Sequence, residues 1–338
     1  MNLSESFRRR FGFGLLAAVL VGGPRVGAWD ERGHAIVVEA AVRRLPKEMP
    51  DFVRNSQAMN RLRYLSSEPD RWRNLKLAPM GSLNKPDHYF DVEFLKLYDL
   101  TPQSLPAYRY EFIAQMAVYK AQHPDKDYQY DASKDRDHSK EWPGFAPYRI
   151  CEMFVQLKSS WRTYNTYRKY RDKCAPGELE ACRDNIVYLM GIMSHYVADL
   201  AQPLHTTKHY DGWVGPNPHG YMARRGTLHK LIDGGVIRAA DITSGDLPAG
   251  PMLPKLDEKR LFAWVMACMM QTHARMEPTY ALEKKGAFDP QSPHFGEGTD
   301  FIKQCLGWGG AELAVLWEAA WRDAGIDSFR EARLKARP

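Results

Sequence analysis

The chain has 338 residues, 44% of them hydrophobic and 12% aromatic, with 47 Lys and Arg against 41 Asp and Glu. That apolar share supports a packed core and excludes a wholly disordered chain, while five Cys are too few for a disulfide-dense miniature scaffold. No apolar run reaches the roughly 18 residues of a membrane-spanning helix, which excludes a multi-span membrane protein.

Residues 1–28 read as an address. Arg8, Arg9 and Arg10 precede a short apolar stretch over 11–23, and Val26-Gly27-Ala28 is a small-residue cleavage site. Together they predict a secretory signal peptide cleaved before Trp29, and hence a secreted or periplasmic protein. Four Arg against one Glu in this segment account for half of the formal net charge of +6, so the mature chain has no strongly basic surface by composition. The remainder, 29–338, predicts an all-α, single-domain helical bundle with long loops. Helical periodicity covers 32–45, 105–122, 148–170, 183–200, 223–237, 257–275 and 299–322. The stretch 89–94 is a fair strand candidate, and 123–147 and 243–255 read as long loops. Helix 183–200 is apolar on nearly every face, as expected of a helix buried inside a larger bundle. The short spacing of Cys174 and Cys182 in an exported chain makes a local disulfide an option. Cys151, Cys268 and Cys305 leave an odd count whose pairing the sequence does not determine.

A buried helix bearing charged groups requires a reason. His195 and Asp199 stand at i and i+4 on helix 183–200, hence on one face. A buried carboxylate is costly unless it is paired or holds a metal. A lone pair of this kind is more often a His–Asp hydrogen bond in a core. Here, however, His229 and Asp233 repeat the spacing on a second helix. His205 follows Asp199 across Gln202-Pro203-Leu204, where Pro203 ends or kinks the helix. Paired ligands on separate helices are how bundle cores build multi-metal sites, and imidazole with carboxylate suits zinc. Cleavage before Trp29 would create an α-amine that can lose its proton to a metal. His34 follows within five residues, and Asp70 and His88 lie between.

The order Trp29, His34, Asp70, His88, His195-x-x-x-Asp199, Gln202-Pro203-Leu204-His205, His229-x-x-x-Asp233 resembles the secreted zinc-dependent nucleases typified by fungal nucleases S one and P one. Their wider superfamily also holds the bacterial zinc-dependent phospholipases C. The resemblance spans 29–233 and implies three Zn2+. One would take Asp70, His88, His195 and Asp199; a second His205, His229 and Asp233; the third Trp29, His34 and again Asp199. It further implies endonucleolytic hydrolysis of single-stranded DNA or RNA to 5′-phosphates by a hydroxide held between metals. Asp91 matches an acid that serves the attacking water, Arg73 an arginine near the phosphate, and Tyr89 an aromatic that stacks a base. The Trp29–His34 gap and the final ligand Asp233 resemble the nucleases rather than the phospholipases. One departure stands against this: the loop after His205 lacks the Gly-Gly-Asn element that helps hold the base. His209 and His219 in that loop read as solvated, and His123, His138, His273 and His294 as structural or surface residues. Arg61, Arg63, Arg71, Arg73, Arg224 and Arg225 fall near ligands in sequence and would steer an anionic substrate. The alternatives are a phospholipase C-like phosphodiesterase of the same metal chemistry and, in another class, a non-catalytic extracellular zinc-binding module. No stable protein partner is implied.

Overall fold

The computed structural model describes residues 29–75, 77–223, 225–253 and 255–337; the expected signal segment 1–28 lies outside them. The described residues form helices and no named strand, so the expected all-α architecture is observed.

In chain order the α-helices are α1 Glu31–Arg44, α2 Ser56–Leu65, α3 Glu68–Arg73, α4 Ala78–Asn84, α5 Arg109–Gln122, α6 Ala146–Lys169 and α7 Glu178–Leu200. Then come α8 Leu228–Lys230, α9 Val236–Ala239, α10 Leu261–His273, α11 Met276–Lys284, α12 Phe295–Arg322 and α13 Ser328–Lys335. Local chemistry explains the start of α1. The Asp30 carboxylate accepts from the Gly33 amide, Glu31 occupies the first turn, and Arg43 and Arg44 the last, complementing the helix dipole.

Helix α7 is the axis of the bundle. Its residues 190–200 are all buried, so tertiary packing rather than intrinsic propensity holds this half in place. Helices α6, α2, α12 and α1 all lie against it. Small residues set the close approaches. A side chain at Gly191 would collide with Leu65, which lets α7 press onto α2. A Cβ at Gly310 would stand 2.7 Å from that of Ala40, and one at Gly309 2.8 Å from that of Ala201, which brings α12 onto α1 and the end of α7. Trp161 and Trp317 are fully buried in the surrounding core. Each large apolar side chain so placed contributes about 1.5–3 kcal/mol.

Several expectations are corrected. The stretch 89–94 is not a strand: Phe90 makes one isolated bridge to Gly144, and Val92–Tyr98 turns into a 3-10 helix. The expected helix 223–237 starts only at Leu228 and is interrupted by a π-helical turn, Leu231–Gly235, between α8 and α9. Helices α2, α3, α4, α11 and α13, none longer than ten residues, fall outside the expected segments, although α2 buries Ala58, Leu62 and Leu65 in helical register. The option of a Cys174–Cys182 disulfide is not realised. Both are free thiols facing different carbonyls, Cys174 those of Tyr167 and Tyr170, and Cys182 that of Ser160. Cys151, Cys268 and Cys305 are free as well.

Candidate metal centre

Four elements converge on the last turns of α7. His34 comes from the first turns of α1, Asp70 from α3, His88 from the 3-10 turn Lys85–His88 after α4, and His195 and Asp199 from α7 itself. All but Asp70 are buried. His88 Nδ1 lies 2.9 Å from His195 Nε2 and 2.9 Å from Asp199 Oδ2, and His195 Nε2 lies 3.3 Å from that same oxygen. Asp70 Oδ1 stands 3.9 Å from both imidazole nitrogens. The other Asp199 oxygen, Oδ1, faces His34 Nε2 at 3.5 Å. Asp199 thus turns one oxygen to each of two clusters of donors.

A second constellation is built by the 3-10 turn Pro203–Thr206 and the α8–α9 unit. His205 Nε2 and His229 Nε2 are 3.0 Å apart, and His229 Nε2 is 3.3 Å from Asp233 Oδ2. The π turn carries Asp233. Its Gly234 is required because a Cβ there would collide with Asp30, which pairs with Arg238 and donates its amide to the Asp233 carbonyl at 3.0 Å. The chain just ahead of α1 is thereby stitched to the second constellation.

Three groups of donor atoms, His34–His195–Asp199, Asp70–His88–His195 and His205–His229–Asp233, each fit within 4.8 Å. The donors suit a metal on four grounds. A tetrahedral ion with ligands at 2.0–2.1 Å spaces them about 3.3 Å apart, close to the separations here. Imidazole nitrogens face one another at 2.9 and 3.0 Å, an arrangement that a shared cation explains better than a hydrogen bond between two rings. Both nitrogens of His34 and Asp199 Oδ1 are buried without a hydrogen-bond partner, a costly state for a core. Finally, the outward nitrogens of three of the imidazoles are held. His195 Nδ1–H donates to the Ser66 carbonyl at 2.7 Å, His205 Nδ1–H to the His88 carbonyl at 2.7 Å, and His88 Nε2–H to Asn84 Oδ1 at 3.1 Å. Each bond fixes the tautomer so that the remaining lone pair points inward. Gln202 does the same for Asp233, donating to Oδ1 at 2.9 Å while its carbonyl accepts from the Leu204 amide at 2.6 Å.

The electrostatics keep most of the donors in metal-ready form. Burial, with His195 adding, pushes His34 down to about 3, and burial with Arg73 pushes His88 down to about 4. Burial also lowers His205, and with His205 alongside it holds His229 well below the ordinary range. His195 is the exception: burial would lower it, but Asp199 outweighs burial and raises it. Burial opposes ionisation of Asp199, yet His195 and His88 hold it well below the usual carboxylate range. Asp70 is likewise lowered: burial opposes its ionisation, but Arg73 together with His195 and His88 outweighs it. Asp233 is pushed well above the usual range by burial, and a cation at the site would reverse this.

The remaining expected residues are placed as follows. The Trp29 side chain is fully buried, and its indole donates to the Ala198 carbonyl at 2.9 Å, next to Asp199 in the chain. Arg73 Nη2 pairs with Asp70 Oδ1 at 2.6 Å. Tyr89 is half-buried, with its hydroxyl donating to the Ser139 carbonyl at 2.6 Å. Asp91 is buried, and burial with Glu93 adding holds its carboxyl well above the usual range. Asn84 and the Ser66 carbonyl were not singled out from the sequence, since a residue that orients a ligand carries no spacing signal. His209, expected to be solvated, is instead buried and stacked on Trp213 with ring centroids 4.2 Å apart. His273, half-buried, meets the Thr206 carbonyl at 3.0 Å and braces the turn that carries His205. Arg224 lies outside the described residues.

No protein-family model matches the chain, and no curated protein matches it. Two solved structures align along most of its length. The alpha-toxin of Clostridium absonum is 12% identical with a TM-score of 0.45, over 91% of this chain and 67% of the toxin. The alpha-toxin of an avian strain of Clostridium perfringens is 14% identical with a TM-score of 0.40, over 89% and 67% respectively. Likenesses this distant do not bear on the choice of substrate.

Proposed function

We propose that this chain is a zinc-dependent phosphodiesterase, formed as one domain from 29–338 and exported after cleavage before Trp29. The observation that carries the proposal is the convergence of His34, Asp70, His88, His195 and Asp199 in one buried cluster, with His205, His229 and Asp233 in another. A structural zinc site needs four ligands and is closed; this many donors is more than a structural role requires. In this reading Asp70, His88, His195 and Asp199 hold one zinc, and His205, His229 and Asp233 a second. His34, Asp199 and the new amine of Trp29 hold the third.

Bound zinc supplies positive charge that offsets the phosphate and favours ionisation of water. The chain's own residues do the rest. Asp199 shares its two oxygens between two positions. Asn84, Ser66 and Gln202 keep the ligands aimed. Asp91, a buried carboxyl with raised proton affinity, exchanges a proton with the attacking water or the leaving oxygen. Arg73, tied to Asp70, adds positive charge beside the ligands, and Tyr89 offers a half-buried ring to the substrate. The expected effect of Asp91→Asn is a fall in kcat of at least ~100-fold with zinc content unchanged; full turnover would remove this role.

For substrate we favour single-stranded nucleic acid, on the Trp29–His34 spacing and on Asp233. A phospholipid head group is the second reading, favoured by the loop after His205: it lacks Gly-Gly-Asn and folds instead around His209, Trp213 and Tyr280. Zinc-loaded protein starting at Trp29 is assayed for release of acid-soluble nucleotide from single-stranded DNA and RNA, and for head-group release from phospholipid, each with a chelated control. Chelator-sensitive nucleotide release supports the nuclease; head-group release alone supports the second reading. Neither activity from protein holding three zincs supports the non-catalytic module.

A further inference from the structure

The loop between His205 and His229 presents a cation that the centre itself does not use. Tyr210 is half-buried, and its ring meets the edge of the His229 ring with centroids 5.9 Å apart. Its hydroxyl also lies within electrostatic reach of Tyr89. Tyr210 therefore neighbours both His229 of the second metal group and the aromatic expected at the substrate. The Arg225 guanidinium lies 5.6 Å from the Tyr210 ring centroid, with Nη1 3.5 Å from the Tyr210 hydroxyl. Arg225 is exposed and, among the described residues, has no carboxylate in ion-pair range. Arg73 differs: Asp70 already neutralises it at 2.6 Å.

The platform under this pair is built rather than loose. Asp211 is buried, and its carboxylate accepts from the Gly226 amide at 2.6 Å and the His229 amide at 3.3 Å, closing the loop onto the start of α8. The Tyr280 hydroxyl donates to the His209 carbonyl at 2.5 Å and accepts from the Gly212 amide at 2.9 Å. Asn217 clasps Tyr221 through both its side-chain oxygen and its nitrogen, at 2.8 and 2.7 Å.

We propose that Arg225, held by Tyr210, is a specificity-determining subsite for a second negative charge flanking the scissile phosphate, the neighbouring phosphate of a polynucleotide strand. This rests on the phosphodiesterase reading above. A guanidinium binds phosphate oxygens through parallel N–H donors. A quaternary-ammonium head group would need an open aromatic face free of positive charge, and here the aromatic already carries a cation.

The test is fluorescence anisotropy of a labelled phosphorothioate oligothymidylate with the full zinc-loaded chain, across a salt series. Arg225→Gln is expected to weaken binding about tenfold and to flatten the log–log salt slope by about 0.7, the share of one lost phosphate contact. Arg225→Lys should restore the slope but only part of the affinity. Arg333→Gln, an exposed arginine on α13, is the control and should change neither. In turnover of a dinucleotide phosphodiester, Arg225→Gln should raise KM more than it lowers kcat. Unchanged affinity and slope in Arg225→Gln, in a wild type that hydrolyses phosphodiesters, overturn the subsite and leave the function standing. Arg225-dependent binding by a wild type that hydrolyses nothing leaves Arg225 as a phosphate contact but removes the function, and with it the subsite's place beside a scissile phosphate. Wild-type binding to phosphatidylcholine vesicles, with no oligothymidylate binding, overturns the subsite.

Discussion

Replacing Asp199 by alanine should cost two metals, because its oxygens face different donors: Oδ1 toward His34 at 3.5 Å, Oδ2 toward His88 and His195 at 2.9 and 3.3 Å. The size of the effect follows from linkage. With free zinc at about 100 times the dissociation constant, each bound ion stabilises the folded state by about 2.7 kcal/mol. Loss of two removes about 5 kcal/mol. The unfolding entropy of about 310 residues is about 0.65 kcal/mol/K, so the melting temperature in zinc should fall by about 8 °C more than it does in chelator. The comparison with chelator matters, since the metal-free chain also loses the buried pair of Asp199 with His195. Zinc per chain by elemental analysis, paired with thermal unfolding in both buffers, is the assay. A stoichiometry lowered by only one, with about half that difference in melting shift, or by none, with equal shifts in the two buffers, would refute the bridging role.

Three other outcomes are expected. Asn84→Ala frees His88 to rotate or change tautomer and should weaken one zinc by about 10–100-fold in chelator competition, leaving the others in place. Gly191→Ala forces α7 off Leu65 and should destabilise by about 1–3 kcal/mol in denaturant titration, overpacking outweighing the helix preference for alanine. Far from the ligands, Glu312 is buried with Trp308 Nε1 donating to it, and burial pushes its carboxyl up to about 7. Its proton affinity is higher folded than unfolded, so its contribution is full below pH 4.5 and is lost as pH rises through about 7. That displacement corresponds to about 3 kcal/mol. Glu312→Gln, which retains an acceptor for Trp308, should therefore raise the melting temperature at pH 8 but not at pH 4; equal shifts at both would contradict this.

Much of the candidate site was legible in the chain. The i,i+4 spacing of His195 and Asp199 is a geometric consequence of helix pitch, and burial of α7 follows from its apolar surround. Local chemistry of this kind also marked Pro203 as the end of that helix and the apolar stretches that became α6, α10 and α12. The spacing of His229 and Asp233 pointed correctly to a shared face, although the backbone between them is a π turn rather than the regular helix expected.

What tertiary structure alone decided has one physical reason: it depends on which groups the fold brings within a few ångströms. Asn84 orients His88 and the Ser66 carbonyl orients His195 only because α4 and the end of α2 lie against α7. The π turn at Asp233 forms where Gly234 admits Asp30 from just ahead of α1. His209, polar and in a loop, becomes buried because Trp213 covers it. Cys174 and Cys182, close in sequence, face different carbonyls and do not bond. Arg73 has its carboxylate three residues away on the same helix, a pairing that residue order already offers, whereas Arg225 meets Tyr210, fifteen residues earlier, only because the loop folds back. Helix pitch and apolar patterning are local and can be read from residue order, whereas partnership between residues far apart is set by the packing of the whole bundle.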